Sequence, residues 1–335
     1  MTTEAIVLVG GNTETARIDG ISAAGADPDL MAHTPAVDLE LVEYGRSAGR
    51  PVPVSPTGCP TPAVMTRAAR ELLGFDVLAV DAGLASETAV PTVDLGAEVG
   101  ADIRESTAVP RAEEIVAAGT RVGRALPDEH VLIGETIPGG TTTALGVLSA
   151  LGERASVSSS LPDNPVALKE RVVADGMDTS GLAEGDAAGE PMRAVETMGD
   201  PVLAGVVGLT VGAVESGTTV TLAGGTQLAA AAALVRHAGV DAGLSLSTTT
   251  FVANDDSAAI RELADELDLA LTVTATEFKK RDRPALNGYV AGEAKEGVGM
   301  GGVLARWRDA APSMAPLRER VVTVYEEALP AEEIV

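Results

Sequence analysis

Residues 131–148 read VLIGETIPGGTTTALGVL, and residues 220–234 read VTLAGGTQLAAAAAL. Each is a short apolar run, a Gly-Gly-Thr turn and the start of an apolar helix. A run with no polar face predicts a strand covered on both sides, as strands of a parallel sheet are. The first amides of the helix that follows have no partner within it, and together with the helix dipole they attract an anion. Gly139, Gly140, Thr141 and Thr142 in the first turn, and Gly224, Gly225 and Thr226 in the second, are therefore candidate phosphate ligands. The plainer alternative is a tight turn with a threonine cap. Neither turn carries the Lys-Ser/Thr of a Walker loop or a GxGxxG fingerprint.

Outward from these turns the alternation recurs. Apolar runs at 5–9, 76–80, 247–253 and 269–274 predict further strands. Helical spacing predicts helices over 62–73, 111–126, 165–174, 225–237 and 258–267, with Asn164 and Asp255-Asp256 as caps. The stretch 201–214 is apolar nearly all round and predicts a buried central helix. Residues 10–38 are rich in Gly, Asp, Thr and Pro and read as a long loop. This pattern implies an α/β, Rossmann-like doubly wound fold, with a mainly parallel sheet and helices on both faces. No linker divides the chain, so one domain over 1–335 is expected, with a core at about 76–304. Helices at 301–308 and 315–327 fall outside the alternation and suggest a small helical subdomain formed by the terminal segments. Ligands of such folds bind outside the carboxyl ends of the strands.

Composition narrows the function classes. The 335 residues carry 24 Lys+Arg against 49 Asp+Glu, a net charge of -25. That field repels nucleic acid and anionic membranes, and suits a salt-rich cytoplasm where screening relieves carboxylate repulsion. Aromatic residues are only 2%, so the core is built from Ala, Val, Leu and Ile. Cys59 is the single cysteine, which rules out an internal disulfide and points to a reducing compartment. The opening MTTEAIVLVGG reads as a strand and a loop rather than a signal peptide, so a cytoplasmic location is expected.

A second constellation is GEAKEGVGMGGVLA at 292–305. Glu293 and Glu296, three apart, share a face if helical. A carboxylate turned into an apolar cleft acquires a raised pKa and serves as a general base, whereas an exposed acidic turn does neither. His33, His130 and His237 lack metal-ligand spacing, and HExxH, GxSxG and CxxC are absent. No metal is expected. The run Lys279-Lys280-Arg281-Asp282-Arg283 is basic within an acidic chain, and is either an anion contact or a solvated loop.

These segments together resemble the nicotinate-nucleotide–dimethylbenzimidazole phosphoribosyltransferases. Gly134-Glu135 followed by Gly139, Thr141 and Thr142 is similar to that family's GE-x-G-x-G-N-T-T segment, with Gly140 in place of its Asn and Ile137 in place of an upstream Gly. AGGTQLAAAAAL resembles its GG-x-x-[IL]-A-A-[ML] helix start, and EGVGMGGVLA its E-G-[ST]-G-A-A-L-A motif. By resemblance Glu296 is the catalytic base, Glu135 touches the ribose hydroxyls, Lys169 reaches the phosphate, and Asp81 and Gly83 form the family's D-x-G turn. The segments at 11–30 and 91–110 resemble an archaeal branch of the family, and the bacterial T-K-P-x-G-S-L-G segment is absent. The resemblance implies phosphoribosyl transfer from nicotinate mononucleotide to a benzimidazole-like base, no cofactor, and a homodimer. Still open are a related glycosyltransferase with another donor or base, and a non-catalytic nucleotide-binding protein.

Overall fold

The computed structural model describes residues 4–22, 28–55, 57–278 and 286–328. Seven strands form one sheet: β1 (Glu4–Gly10), β2 (Asp76–Asp81), β3 (Thr92–Asp94), β4 (His130–Thr136), β5 (Thr219–Ala223), β6 (Leu244–Thr249) and β7 (Leu269–Thr274). Their order is β3-β2-β1-β4-β5-β6-β7 and every neighbouring pair is parallel. The chain winds outward one way from β1 and the other way from β4. The β1–β4 boundary is therefore the switch point, where loops diverge and leave a crevice.

The helices are α1 (Pro28–Met31), α2 (Thr34–Tyr44), α3 (Ala63–Leu73), α4 (Ala112–Ala125), α5 (Gly140–Leu151), α6 (Val166–Ser180) and α7 (Pro191–Met198). They continue as α8 (Pro201–Glu215), α9 (Thr226–His237), α10 (Thr250–Ala253), α11 (Ile260–Glu266), α12 (Asn287–Val290), α13 (Met300–Ala310) and α14 (Ala315–Ala328). Side chains alternate across a strand, and β1 shows the consequence. Val7 and Val9 enter a core shared with α4 to α9, while Ile6 and Leu8 enter a second core shared with α2, α3, α13 and α14. Both faces are buried, which is why the strands read as continuous apolar runs. The helices placed outside the alternation by sequence, α13 and α14, thus cover the second face. Among the described residues no helix is long and apolar enough to cross a membrane. The nearly all-apolar α8 is instead buried at the centre, its backbone close against that of α4. A Cβ on Gly208 would lie 2.3 Å from the Val116 carbonyl oxygen, and one on Gly123 2.3 Å from that of Leu209.

Several local expectations change. The stretch expected as loop over 10–38 ends inside α2, whose buried face includes Asp38 and Glu40. Their carboxylates are satisfied by side-chain hydroxyls and backbone N–H groups, so polar residues occupy core positions and blur the helical pattern. The strand expected over 247–253 is the end of β6 followed by α10, with Thr249 capping the helix. Asn164 does not cap α6; its amide donates to the Val157 carbonyl at 2.7 Å. Nor do Asp255 and Asp256 cap α11, which follows Ala259 in a left-handed conformation. Helix α7 has no counterpart among the sequence expectations, and α6 runs past 174 because Gly176 lets it lie against the Ile103 carbonyl.

Candidate active site

A cleft of about 980 Å3, counting the solvent at its mouth, opens above the carboxyl ends of the central strands. Its roof is the segment 293–299, which the tertiary structure ties down at many points. The Glu293 carboxylate accepts from the hydroxyls of Ser55 and of Thr57, the latter at 2.6 Å. Thr249 donates its hydroxyl to the Lys295 carbonyl at 2.6 Å, and Thr66 donates to the Val298 carbonyl at 2.6 Å. The Val298 N–H donates to the Glu135 carbonyl at 2.7 Å, laying the segment across the end of β4. Gly134 permits that crossing, since a Cβ there would sit 2.7 Å from the Gly299 backbone. Val298 is held at φ 53°, a left-handed conformation that a β-branched residue adopts only under constraint.

The segment is not helical, so Glu293 and Glu296 do not share a helix face. Glu293 is an anchor, and Glu296 points to the cleft. The Glu296 carboxylate accepts from the N–H of Gly301 at 2.8 Å, the N–H of Thr249 at 3.1 Å and the hydroxyl of Thr248 at 3.3 Å. Burial pushes its pKa up to about 7, and those donors pull it back toward the ordinary range. Across the cleft Glu135 is pushed up to about 8 by burial and by the charges of Asp200, Glu296 and Asp38. Asp38 is raised to about 7 by burial, against hydrogen bonds from Thr61 and Thr136, both at 2.7 Å. Interacting carboxyls of this kind share protons and titrate as a group near neutrality. Groups poised there suit proton transfer.

Two lysines lie beside the start of α9, where the Ser158 N–H donates to the Thr226 hydroxyl at 3.3 Å. Lys295 lines the cleft beside Ser158, Ser159 and Ser160, and its ammonium pairs with Asp255 at 2.7 Å. Burial works to raise Asp255, but the bonds from Lys295 and Ser257 hold it below the usual carboxylate range. Behind them Lys169 is fully buried and donates to the Ser158 carbonyl at 2.7 Å. Burial, then the Lys295 charge, pushes Lys169 down to about 7, opposed by Asp255.

No protein-family model matches the chain. A UPF0284 protein of Halobacterium salinarum is 59% identical, covering 95% of this chain and 96% of that protein. UPF0284 proteins of Methanothermobacter thermautotrophicus and Thermococcus gammatolerans are 42% and 39% identical, over 87% and 96% of this chain and 84% and 98% of theirs. The chain belongs to the UPF0284 family. Its fold is similar to that of CobT from Thermus thermophilus, at a TM-score of 0.64 and 18% identity over 97% of this chain and 84% of that one. A second solved structure from that organism, a nicotinate-nucleotide-dimethylbenzimidazole phosphoribosyltransferase, gives 0.62 at 18% identity over 99% and 85%. At that identity the likeness establishes the shared fold.

In this UPF0284 chain Glu135, Gly139, Gly140, Thr141, Gly225, Thr226 and Glu296 all line the one cleft. Gly224 and Thr142 stand just outside that lining: the Gly224 N–H bonds the Ser247 carbonyl, and Thr142 is fully buried. Lys169 supports the wall from behind. Asp81 and Gly83 are elsewhere, in a turn where the Asp81 carboxylate accepts from the N–H groups of Gly83 and Leu84 at 2.9 Å. Cys59 is buried in the cleft wall, and burial, with the Glu293 charge, pushes its thiol well up. His33, His130 and His237 are tied to Ser86, Thr221 and Glu153, and none lines the cleft. Among the described residues no group of His, Cys, Asp or Glu is arranged to hold a metal. The basic run at 279–283 lies outside the described residues.

The sequence reading missed Asp38, Asp200, Gln227, Asp255 and Lys295. Gln227 and Lys295 stand beside Thr226 and Glu296 within the segments already singled out, whereas Asp38, Asp200 and Asp255 join the site only through the tertiary structure. Gly140 stands where the resembled motif has Asn, and a Cβ there would lie 2.6 Å from Gln227 Oε1. The Gln227 amide fills that space.

Proposed function

We propose that this protein transfers the phosphoribosyl group of nicotinate mononucleotide to a benzimidazole-like base, releasing nicotinate and giving an α-ribotide for the cobalamin lower ligand. The observation that carries the reading is the convergence of Glu296, Glu135 and both Gly-Gly-Thr turns on one cleft. The donor's pyridinium is already a good leaving group, so its C1′–N bond breaks without a general acid. The acceptor nitrogen bonds to C1′ from the opposite side, and its proton passes to Glu296. A carboxyl pushed up to about 7 is ionised often enough at neutral pH to accept that proton, and basic enough to hold it.

Amides at the starts of α5 and α9 would hold the phosphate, with Lys295 and Lys169 supplying positive charge at the α9 side. Glu135 would face the ribose hydroxyls. The scheme asks for no metal and no organic cofactor, and we take the working form to be a cytoplasmic homodimer.

The test mixes purified protein with nicotinate mononucleotide and a panel of bases at high salt and measures released nicotinate. Glu296→Gln is expected to lower turnover by about a hundredfold or more, with donor binding retained. In the unaltered protein kcat/KM should rise as pH passes through about 7, because the base must be ionised. Near-normal turnover in Glu296→Gln would remove that residue from the mechanism.

A further inference from the structure

The proton acceptor of the proposed reaction is held from the end of β6. Thr248 and Thr249 close that strand, and both are fully buried. The Thr249 N–H and the Thr248 hydroxyl converge on one oxygen of Glu296, Oε2, at 3.1 and 3.3 Å. The Thr249 hydroxyl donates to the Lys295 carbonyl at 2.6 Å and accepts the Val252 N–H at 3.4 Å as the cap of α10. Thr249 therefore grips the roof twice, at the peptide that leads into Glu296 and at its carboxylate.

The second oxygen is held from another element. Oε1 accepts the N–H of Gly301, in the first turn of α13, at 2.8 Å, and that of Gly297 at 3.3 Å. A Cβ on Gly301 would lie 2.4 Å from the Ser247 carbonyl oxygen and 2.5 Å from Thr248 Cα, so the start of α13 lies directly against the end of β6. With each oxygen given its own donors, the orientation of the carboxylate is fixed.

A free glutamate side chain spreads over many rotamers, and a general base works only within hydrogen-bond reach of the proton it takes. Donors to a carboxylate also favour its charged form. We propose that Thr248 and Thr249 are the positioning residues of Glu296: Thr249 fixes the peptide that carries it, and Thr248 completes the donor set that orients its carboxylate and favours the ionised form. This rests on the transfer reading above, and adds how the chain aims its base. The other charged groups facing Glu296 are Glu135 on β4, itself beside Asp38 and Asp200, and Lys295, whose ammonium pairs with Asp255. A change at Thr248 removes none of them.

The experiment follows nicotinate release from nicotinate mononucleotide and a base, from acid to alkaline pH. It uses the full chain and the variants Thr248→Val, Thr248→Ser, Thr249→Val and Thr249→Ser. Calorimetric binding of nicotinate mononucleotide, melting temperatures and the titration of the Glu296 carboxyl by carbon NMR, assigned with Glu296→Gln, accompany it. Thr248→Val keeps the shape of the side chain and loses one donor. The pH at which kcat/KM rises, and the titration of the Glu296 carboxyl, should both move up by about 0.5 to 1 pH unit, and Thr248→Ser should move neither. Thr249→Val should lower kcat by about tenfold or more while donor binding stays within about twofold, and Thr249→Ser should restore the rate. Thr248→Val disturbs no helix cap, so it carries the test if Thr249→Val does not fold.

An unmoved rate profile and carboxyl titration in Thr248→Val overturn the assignment while the transfer reaction stands. An unchanged kcat in Thr249→Val does the same, as does a loss there that falls equally on donor binding. No nicotinate released by the unaltered protein with any base refutes the transfer, and the carboxyl titration then still decides whether Thr248 holds Glu296.

Discussion

Replacing Glu135 by Gln removes one ionisable carboxyl from the cleft and keeps its size, so it isolates what burying that charge costs the fold. Burial, with Asp200, Glu296 and Asp38 nearby, carries Glu135 from 4.5 to about 8. Between those values the folded chain holds a proton that the unfolded chain has released. Stability therefore falls as pH rises through this window; the contribution is complete below the lower value and gone above the upper one. Each pH unit crossed costs about 1.4 kcal/mol. From about pH 5 to about pH 8 the loss is on the order of 4 kcal/mol as an upper bound, reduced by whatever protons Asp38 and Glu296 share with Glu135. Urea unfolding at fixed high ionic strength, repeated across that range, reads it directly. The unaltered protein should lose stability steadily toward alkaline pH, and Glu135→Gln should lose about 1 kcal/mol less per pH unit. Parallel pH profiles for the two proteins would refute the reasoning, because they would mean that Glu135 is ionised in the native cleft at neutral pH.

Gly134→Ala should lift the 293–299 segment off β4, since its Cβ would meet the Gly299 backbone at 2.7 Å; we expect a cost of about 1–3 kcal/mol and weakened ribotide binding, and an unchanged melting temperature would contradict the crossing. The Cys59 thiol, buried and shifted well up, should react with an alkylating reagent about a hundredfold more slowly in the native protein than in urea; equal rates would place it at the surface. With a net charge of -25, the chain should melt several degrees higher in molar potassium chloride than in dilute buffer, and overlapping melts would count against salt adaptation.

Much of the scaffold was legible because its signals are local. Continuous apolar runs such as 131–133 mark strands buried on both faces, and Gly-Gly-Thr followed by alanines and leucines marks a strand turning into a covered helix. Two of the expectations that failed sit where a polar side chain is buried or a hydroxyl caps. Asp38 hides inside α2 because Thr61 and Thr136 satisfy it, and Thr249 starts α10 where the apolar pattern continues as if β6 did.

The chain alone determined the α/β class, the two glycine turns and the presence of a glutamate in a glycine-rich segment, since each depends on residues within a few positions of one another. Only the tertiary structure decided that Glu296 faces a cleft while Glu293 anchors its roof, and that Lys295 pairs with Asp255 in the cleft wall. Those outcomes turn on contacts between residues far apart in the chain, such as Val298 with Glu135 and Lys295 with Asp255. The energy of a buried polar group is set by what surrounds it in space, and no local pattern encodes that.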